Sequence, residues 1–302
     1  MILITGAGGF LGNEINKILQ SEKSNILTLG RSSQNDLSCD LSTSIPQIPP
    51  IDMVIHCAGK AHLVPKNSAE SKDFFSVNVD GTQNLFRGLE KNATLTKFIY
   101  ISSVAVYGRE EGLDINEEAP TLALDPYGQS KIVAEELVSQ WCSEKGVAYY
   151  IFRIPLVTGI NPPGNLKTML KGIRSGSYKR IGKGNAKKSM VMASDIARFT
   201  SRVSGPSGVY NLTDGYHPSF FELENKIAGF YNKKAPSSIP LFAAKLLGFV
   251  GDILGSRFPV NSTKIKKITS SLTFDDTKAR KLLSWKSHEV LKDWIIQDTS
   301  SN

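Results

Sequence analysis

Only three cysteines, Cys39, Cys57 and Cys142, occur in the 302 residues, far apart and with no Cys-x-x-Cys spacing. So few and so scattered, they exclude a disulfide framework and a zinc site; they read as buried thiols in a reducing compartment, and no metal is expected. Long apolar runs are also missing. None reaches the roughly 18 residues that span a bilayer, and the nearest stretch, Pro240 to Gly255, is interrupted by Lys245 and Asp252. No charged segment followed by a cleavable apolar stretch precedes the first strand at Ile2, so the expectation is a cytoplasmic protein without a membrane span. Repeats and low-complexity tracts are absent. With 40% apolar and 21% charged residues the composition is that of an ordinary globular chain, not of a disordered one.

What the sequence does have is an uneven charge. Residues 1–164 hold 13 Lys and Arg against 18 Asp and Glu, a balance of −5, while residues 165–302 hold 23 against 10, a balance of +13. The basic excess therefore belongs to the C-terminal part. It fits a lobe that attracts a phosphate-bearing substrate, a nucleic-acid surface, an anionic membrane face, or merely a solvated surface.

The most informative segment is Thr5-Gly6-Ala7-Gly8-Gly9-Phe10-Leu11-Gly12, directly after the apolar Ile2-Leu3-Ile4. A strand that breaks into a glycine turn and opens a helix forms a cradle for a dinucleotide pyrophosphate, because the backbone N–H groups at a helix start can approach the anion where no Cβ intervenes. Downstream, apolar strands at Asn25–Leu29, Met53–His56, Lys97–Ser102 and Val147–Ile154 alternate with helices at about Asp73–Lys91 and Pro126–Lys145. Strands and helices in that order predict an α/β fold, a Rossmann-type doubly wound parallel sheet with its ligand crevice beyond the strand C-termini. Length suggests roughly two domains. The expected division is a dinucleotide-binding domain over 1–160, to which 190–213 returns, and a smaller interleaved C-terminal substrate lobe over 161–302. Ser194 and Asp195 read as an N-cap and a first-turn acid, and Ala243–Ile253 as lobe core in preference to membrane contact.

Of nine tyrosines only Tyr127 has a lysine four places on, Lys131, at the start of the long helix. That spacing puts both on one helical face, and a neighbouring ammonium stabilises phenolate, so the pair suits proton transfer. A second hydroxyl source is the strand end Tyr100-Ile101-Ser102-Ser103, at the height where the crevice opens; Ser103 can hold a substrate oxygen or merely satisfy backbone groups there.

Cradle, serine and Tyr-x-x-x-Lys together resemble the extended short-chain dehydrogenase/reductase family, in its nucleotide-sugar epimerase, dehydratase and reductase branch, nearly end to end. The resemblance implies cofactor contacts from Gly6, Gly9, Phe10, Leu11 and Gly12, from Asp40 and Leu41 facing adenine, from Ala58 and Gly59, and from the helix asparagine Asn78. It implies Ser103, Tyr127 and Lys131 as the catalytic set, with Ser103 and Tyr127 also touching substrate, Lys131 also holding the nicotinamide ribose and Pro155 flanking the nicotinamide. In the second lobe it implies substrate phosphate binding by Asn165 at a helix start and by Lys188, where relatives carry an arginine. The tail resembles reductases and epimerases for UDP-linked 2-acetamido sugars, except that their Leu-Gly-Trp is here Leu283-Ser284-Trp285. Dehydratases of this branch place an Asp-Glu pair where this chain has Val104 and Ala105, neither of which can move a proton. Homodimers of the family form through helices corresponding to those near Asp73–Lys91 and Pro126–Lys145.

The second strand ends Leu29-Gly30-Arg31-Ser32-Ser33, without the acid that would hydrogen-bond an NAD ribose and repel a 2′-phosphate. Arg31 and Ser32 supply charge and donors, so NADP(H) is favoured over NAD(H), with Asp36 or Asp40 left as ribose contacts. Consumption of a reduced cofactor points to a 4-keto reductase acting on a UDP-linked sugar. A UDP-sugar 4-epimerase with bound NAD is the alternative. A third reading, an idle dinucleotide sensor or nucleic-acid-binding relative, finds no basic run interleaved with aromatics, so no nucleic-acid partner is expected.

Overall fold

A computed structural model describes residues 1–61, 65, 67–254 and 261–296; residues 255–260 and 297–302 of the expected lobe lie outside these. The main sheet takes β1 (Ile2–Thr5), β2 (Ile26–Gly30), β3 (Leu37–Ser38), β4 (Met53–His56), β5 (Lys97–Ser103), β7 (Ala148–Ile154) and β11 (Gly208–Asn211). It runs β11-β7-β5-β4-β1-β2-β3, and every pairing is parallel. The doubly wound parallel fold expected from the strand–helix alternation is thus observed.

The strands are apolar on both faces because both faces are covered. Alternate residues divide between two cores. Ile4, Ile55, Ile99 and Phe152 face α1 (Phe10–Ser21) and α6 (Ala193–Thr200), whose Ile15, Leu19, Ile196 and Ala197 complete that side. Leu3, Val54, Phe98 and Ile151 face α3 (Gly81–Leu89) and α4 (Pro126–Lys145), through Leu85, Leu89, Ala134 and Val138. Ahead of α3 the chain forms α2 (Ser68–Phe75) and a π-helical turn at Ser76–Asp80. The helical segment therefore begins at Ser68, five residues before the expected Asp73, because Asn67 caps it by accepting from Glu70 N.

Short parallel pairs build the rest. β6 (Gly112–Ile115) pairs with β13 (Leu272–Phe274), β8 (Leu156–Thr158) with β10 (Met190–Met192), and β9 (Arg180–Ile181) with β12 (Ser238–Ile239). A third core joins α5 (Gly164–Ser175) to β10, α7 (Phe220–Phe230) and α11 (Val290–Asp293). The tail does not stay with it. Ala279 and Leu283 of α10 (Thr277–Leu283) and Trp285, only 1% exposed, enter the same core as Ile4 and Ile15. The Trp285 indole N–H is shared between the Thr213 carbonyl at 3.0 Å and Asp276 at 3.2 Å.

Three local expectations are corrected. Ser194 lies inside α6 and does not cap it, the N-cap being Met192; Asp195 is the first-turn acid as expected, but it is buried and accepts from His288 N at 2.8 Å and His288 Nδ1 at 2.7 Å. Of the thiols only Cys142 is fully buried; Cys39 and Cys57 are partly exposed. The apolar 243–253 stretch forms α8 (Leu241–Leu254) but is not core: only Ala244, Gly248 and Gly251 are buried, and its large side chains face outward. Its small residues let it approach α9 (Ser262–Thr269) so closely that a Cβ on Gly248 would stand 3.2 Å from the Ser262 backbone.

Ser284 ends α10 at φ +57°, in the left-handed region that glycine occupies without penalty. Ser284→Gly is expected to raise unfolding free energy by about 0.5–1 kcal/mol in urea titrations; an unchanged or lowered midpoint contradicts this.

Candidate active site

The glycine turn is a steric necessity at two positions. Gly6 sits at φ +70°, and a Cβ there would lie 2.7 Å from Ala58 N; a Cβ on Gly12 would lie 2.2 Å from the Gly6 carbonyl oxygen. Around Gly8 there is open space, and α1 begins at Gly9 with no side-chain cap and no acid in its first turn. Its leading N–H groups are thus available to an anion. This turn borders a cavity of about 860 Å³, lined also by Gly30, Arg31, Ser32, Asn35, Asp40, Leu41, Ala58 and Gly59. The Phe10 side chain stands over Gly159, and that of Leu11 packs against the core.

A chain of hydrogen bonds fixes the walls. Ala58 N–H donates to Thr5 Oγ1 (3.1 Å), which donates to His56 Nδ1 (2.6 Å). On the other side of the ring Nε2–H donates to Thr82 Oγ1 (3.0 Å), and that hydroxyl donates to the Asn78 carbonyl (2.7 Å). Ends that can only donate or only accept leave one direction for the whole chain, which sets the imidazole tautomer. Burial, and secondly the Lys131 ammonium, push the His56 pKa down to about 3. Asn78, 1% exposed, clasps the backbone of Lys60, accepting from its N at 2.7 Å and donating to its O at 3.2 Å. Its amide also donates to Ser130 Oγ (2.9 Å), which donates to the Tyr127 carbonyl (2.8 Å). Asn78 therefore ties the Gly59–Lys60 loop to α4.

The end of β2 carries no free acid. Asp36 accepts from Thr28 N (2.8 Å) and Thr28 Oγ1 (2.7 Å), bonds that hold its carboxyl below the usual range. Asp40 is also lowered, first by Ser42, whose Oγ donates at 2.7 Å. The room expected at Gly30 is taken by the Asn35 amide, 2.9 Å from where a Cβ would stand.

Ser103 closes β5 opposite Ile154, so Pro155 follows on the adjacent strand at the same sheet edge. Ser103 Oγ accepts from Ala105 N at 3.2 Å and stands near enough to the Tyr127 phenol to bear on its pKa. Asp125 caps α4 by accepting from Gly128 N, with Pro126 in its first turn, and this presents Tyr127 to the strand end. The phenol packs 6.0 Å from the Phe74 ring. One expectation fails here. Lys131 is not aimed at Tyr127 but donates to the Tyr100 hydroxyl (3.0 Å) and the Ile101 carbonyl (2.8 Å), beneath Gly59. A buried ammonium takes the acceptors within reach; burial lowers its pKa to about 8 against the support of Glu135. The Tyr127 pKa is raised, by burial first, with the nearby Ser103 hydroxyl opposing.

The reading from sequence missed Glu135, the next turn along this face from Lys131. It pairs with Arg153 of β7 (Arg153 Nη2 to Oε2, 2.7 Å) and accepts from Ser102, all three being buried. The i, i+4, i+8 spacing of Tyr127, Lys131 and Glu135 was the available signal.

The two second-lobe candidates stand on separate elements. Asn165 is exposed in the first turn of α5, which has no side-chain cap. Lys188 bridges to Leu272, two residues before the Met190↔Leu156 rung. Burial, then Lys267, lowers its pKa to about 8.

Residues 2–211 match the family model of the NAD dependent epimerase/dehydratase family. The chain belongs to that family. It is an enzyme of the short-chain dehydrogenase/reductase type. One relative is the N-acetyl-alpha-D-glucosaminyl-diphospho-ditrans,octacis-undecaprenol 4-epimerase of Escherichia coli O157:H7, 28% identical, with 92% of this chain and 88% of that one covered. Another is the GDP-6-deoxy-D-mannose reductase of Pseudomonas aeruginosa, 33% identical over 48% of each chain. In fold the chain is similar to the UDP-N-acetylglucosamine 4-epimerase of Bacillus cereus (TM-score 0.73, 21% identity, 95% of this chain and 94% of that one covered). It is equally similar to the UDP-glucuronic acid 4-epimerase of that organism, solved with UDP-glucuronic acid and NAD (TM-score 0.73, 20% identity, 97% and 95% covered). In this family member no described helix is long and apolar enough to cross a membrane.

A pH dependence follows from His56. Its proton is lost in the fold down to about pH 3 but regained by the unfolded chain near 6.5. Its contribution to stability is complete above 6.5 and drains away as pH falls toward 3, at up to about 1.4 kcal/mol per pH unit. Unfolding free energies of the wild type and His56→Asn, measured across this window, are expected to converge on acidification; parallel curves contradict it.

Proposed function

We propose that this protein interconverts C4 epimers of a UDP-linked 2-acetamido sugar, using a bound nicotinamide dinucleotide. The observation that carries this reading is the approach of Ser103, at the end of β5, to the Tyr127 phenol at the start of α4, near a cavity whose glycine turn and uncapped helix start suit a pyrophosphate. The dinucleotide-binding part is taken as 1–160 with 190–213 returning to it, and the substrate lobe as the interleaved remainder of 161–302.

When bound, the cofactor supplies reversible hydride exchange at the sugar C4. Tyr127, uncharged at neutral pH, gives a proton to or takes one from the oxygen on that carbon, and Ser103 orients that oxygen through its hydroxyl. Lys131, mostly cationic below about pH 8, holds the ribose side of the site near Gly59 and Asn78. Asn165 at the start of α5 and Lys188 receive the substrate diphosphate; lysine does so as a point charge without the planar fork of arginine. Val104 and Ala105 offer no proton relay for a dehydration. Support for epimerisation comes from the 4-epimerase relative that spans nearly the whole chain.

A second reading, NADPH-dependent 4-keto reduction, is favoured by one place, the end of β2. Arg31, Ser32 and Asn35 line the cavity there, while Asp36 is held by Thr28. The reductase relative covers about half of the chain.

Purified protein is expected to retain NAD and to equilibrate UDP-N-acetylglucosamine with its C4 epimer without net change in nicotinamide absorbance. Consumption of NADPH by a UDP-4-keto sugar, without epimerisation, gives the site to the second reading. Tyr127→Phe is expected to lower kcat by about 10²–10⁴-fold with cofactor retention intact; unimpaired turnover removes Tyr127 from the chemistry. In the reductive reading Arg31→Ala raises KM for NADPH about tenfold and leaves KM for NADH unchanged.

A further inference from the structure

Helix α8 is packed inside out for a helix in water. Ala244, Gly248 and Gly251 form its buried side against α9, while Phe242, Leu246, Phe249 and Ile253, at i, i+4, i+7 and i+11, form one outward ridge. Their exposures run from 59% for Phe249 to 76% for Phe242, and Leu247, Val250 and Leu254 widen the strip. A globular helix turns such residues inward, and a contiguous exposed strip of this kind marks an interaction surface.

The charges around the strip say what covers it. The exposed Lys245 flanks the ridge, and Asp252, the one acid of α8, accepts from Ser262 N. Behind α8, α9 carries the exposed Lys264, Lys266 and Lys267, and the exposed Lys183 follows Gly182, which lies beside Leu241 at the start of α8. The nearby acids Glu110 and Glu111 each face one of these lysines. An apolar ridge rimmed by cations complements the boundary of an anionic bilayer, where chains take the apolar side and headgroups the lysines. At 14 residues, about 21 Å by helical rise, α8 is too short to cross the roughly 30 Å hydrocarbon layer and lies in its plane.

We propose that α8, flanked by Lys245 and Lys183 and backed by the lysine-bearing α9, docks the enzyme peripherally on an anionic membrane surface. Lys267 also acts electrostatically on Lys188, so the docked face adjoins the residue assigned to the substrate diphosphate. The proposal stands apart from the C4 chemistry, because binding to lipid is read without turnover.

The full chain is to be centrifuged with vesicles of phosphatidylcholine alone or with about 30 mol% phosphatidylglycerol. The wild type is expected to bind the anionic vesicles at least about tenfold better, less so at high salt. The triple variant Phe242→Glu, Leu246→Glu, Phe249→Glu is expected to lose about tenfold or more of this binding while its circular dichroism and cofactor retention match the wild type. Lys183→Glu with Lys245→Glu is expected to weaken binding to the anionic vesicles only. The proposal is overturned if the wild type stays in the supernatant with both lipids, or if the triple variant binds as the wild type does. It is equally overturned if light scattering shows a dimer that the triple variant dissolves, which gives the face to a second copy.

Discussion

His56 sits wholly enclosed between the glycine turn and the helix that follows the π-helical turn, and both of its ring nitrogens are committed. Through Thr5 it reaches the Ala58 amide, and through Thr82 the Asn78 carbonyl, so three segments distant in sequence are held at hydrogen-bonding distance from one another. The Gly6 turn can approach Ala58 because residue 6 carries no Cβ, and the loop there is held by Thr5 on one side and by Asn78, which clasps Lys60, on the other. The same asparagine reaches Ser130 and thereby α4, which carries Tyr127. The glycine turn and the residues proposed for proton transfer thus share one rigid polar frame, as buried networks with every partner satisfied allow.

A second frame lies beside it. Glu135 and Arg153 pair while buried, which has value for geometry more than for stability, since removing two charges from water consumes much of their attraction. The pair fastens α4 to β7 and leaves Glu135 close enough to support the charge on Lys131. Lys131 in turn is tied to Tyr100 and Ile101 of β5, so the position of its ammonium is decided by the sheet and not by its helical neighbour.

Much of this was legible in the amino-acid order. Ile2-Leu3-Ile4 ahead of Gly6, Gly9 and Gly12 announced a parallel strand and a phosphate turn, because continuous apolar strands and close backbone approach each demand those residue types. Tyr127 and Lys131 were found by spacing. Spacing places two residues on one face, however, without saying which acceptor a long flexible chain will choose, so the aim of Lys131 was misjudged. His56 looked like the last residue of a strand, since its partners Thr5 and Thr82 lie 51 and 26 residues away. β6 and β13 pair across more than 150 residues with only a few apolar side chains each, a signal too short to read. In α8 the apolar residues go all the way round, and such a pattern does not tell inside from outside.

The tryptophan that seals the first core comes from position 285, downstream of most of the second lobe. Ile4 and Ile15 are made early, yet the place beside them and Phe199 is filled only once residue 285 has been made. The N-terminal half therefore keeps an open hydrophobic seam until then. It is not a separable domain of the kind that completes its folding first as the chain is made.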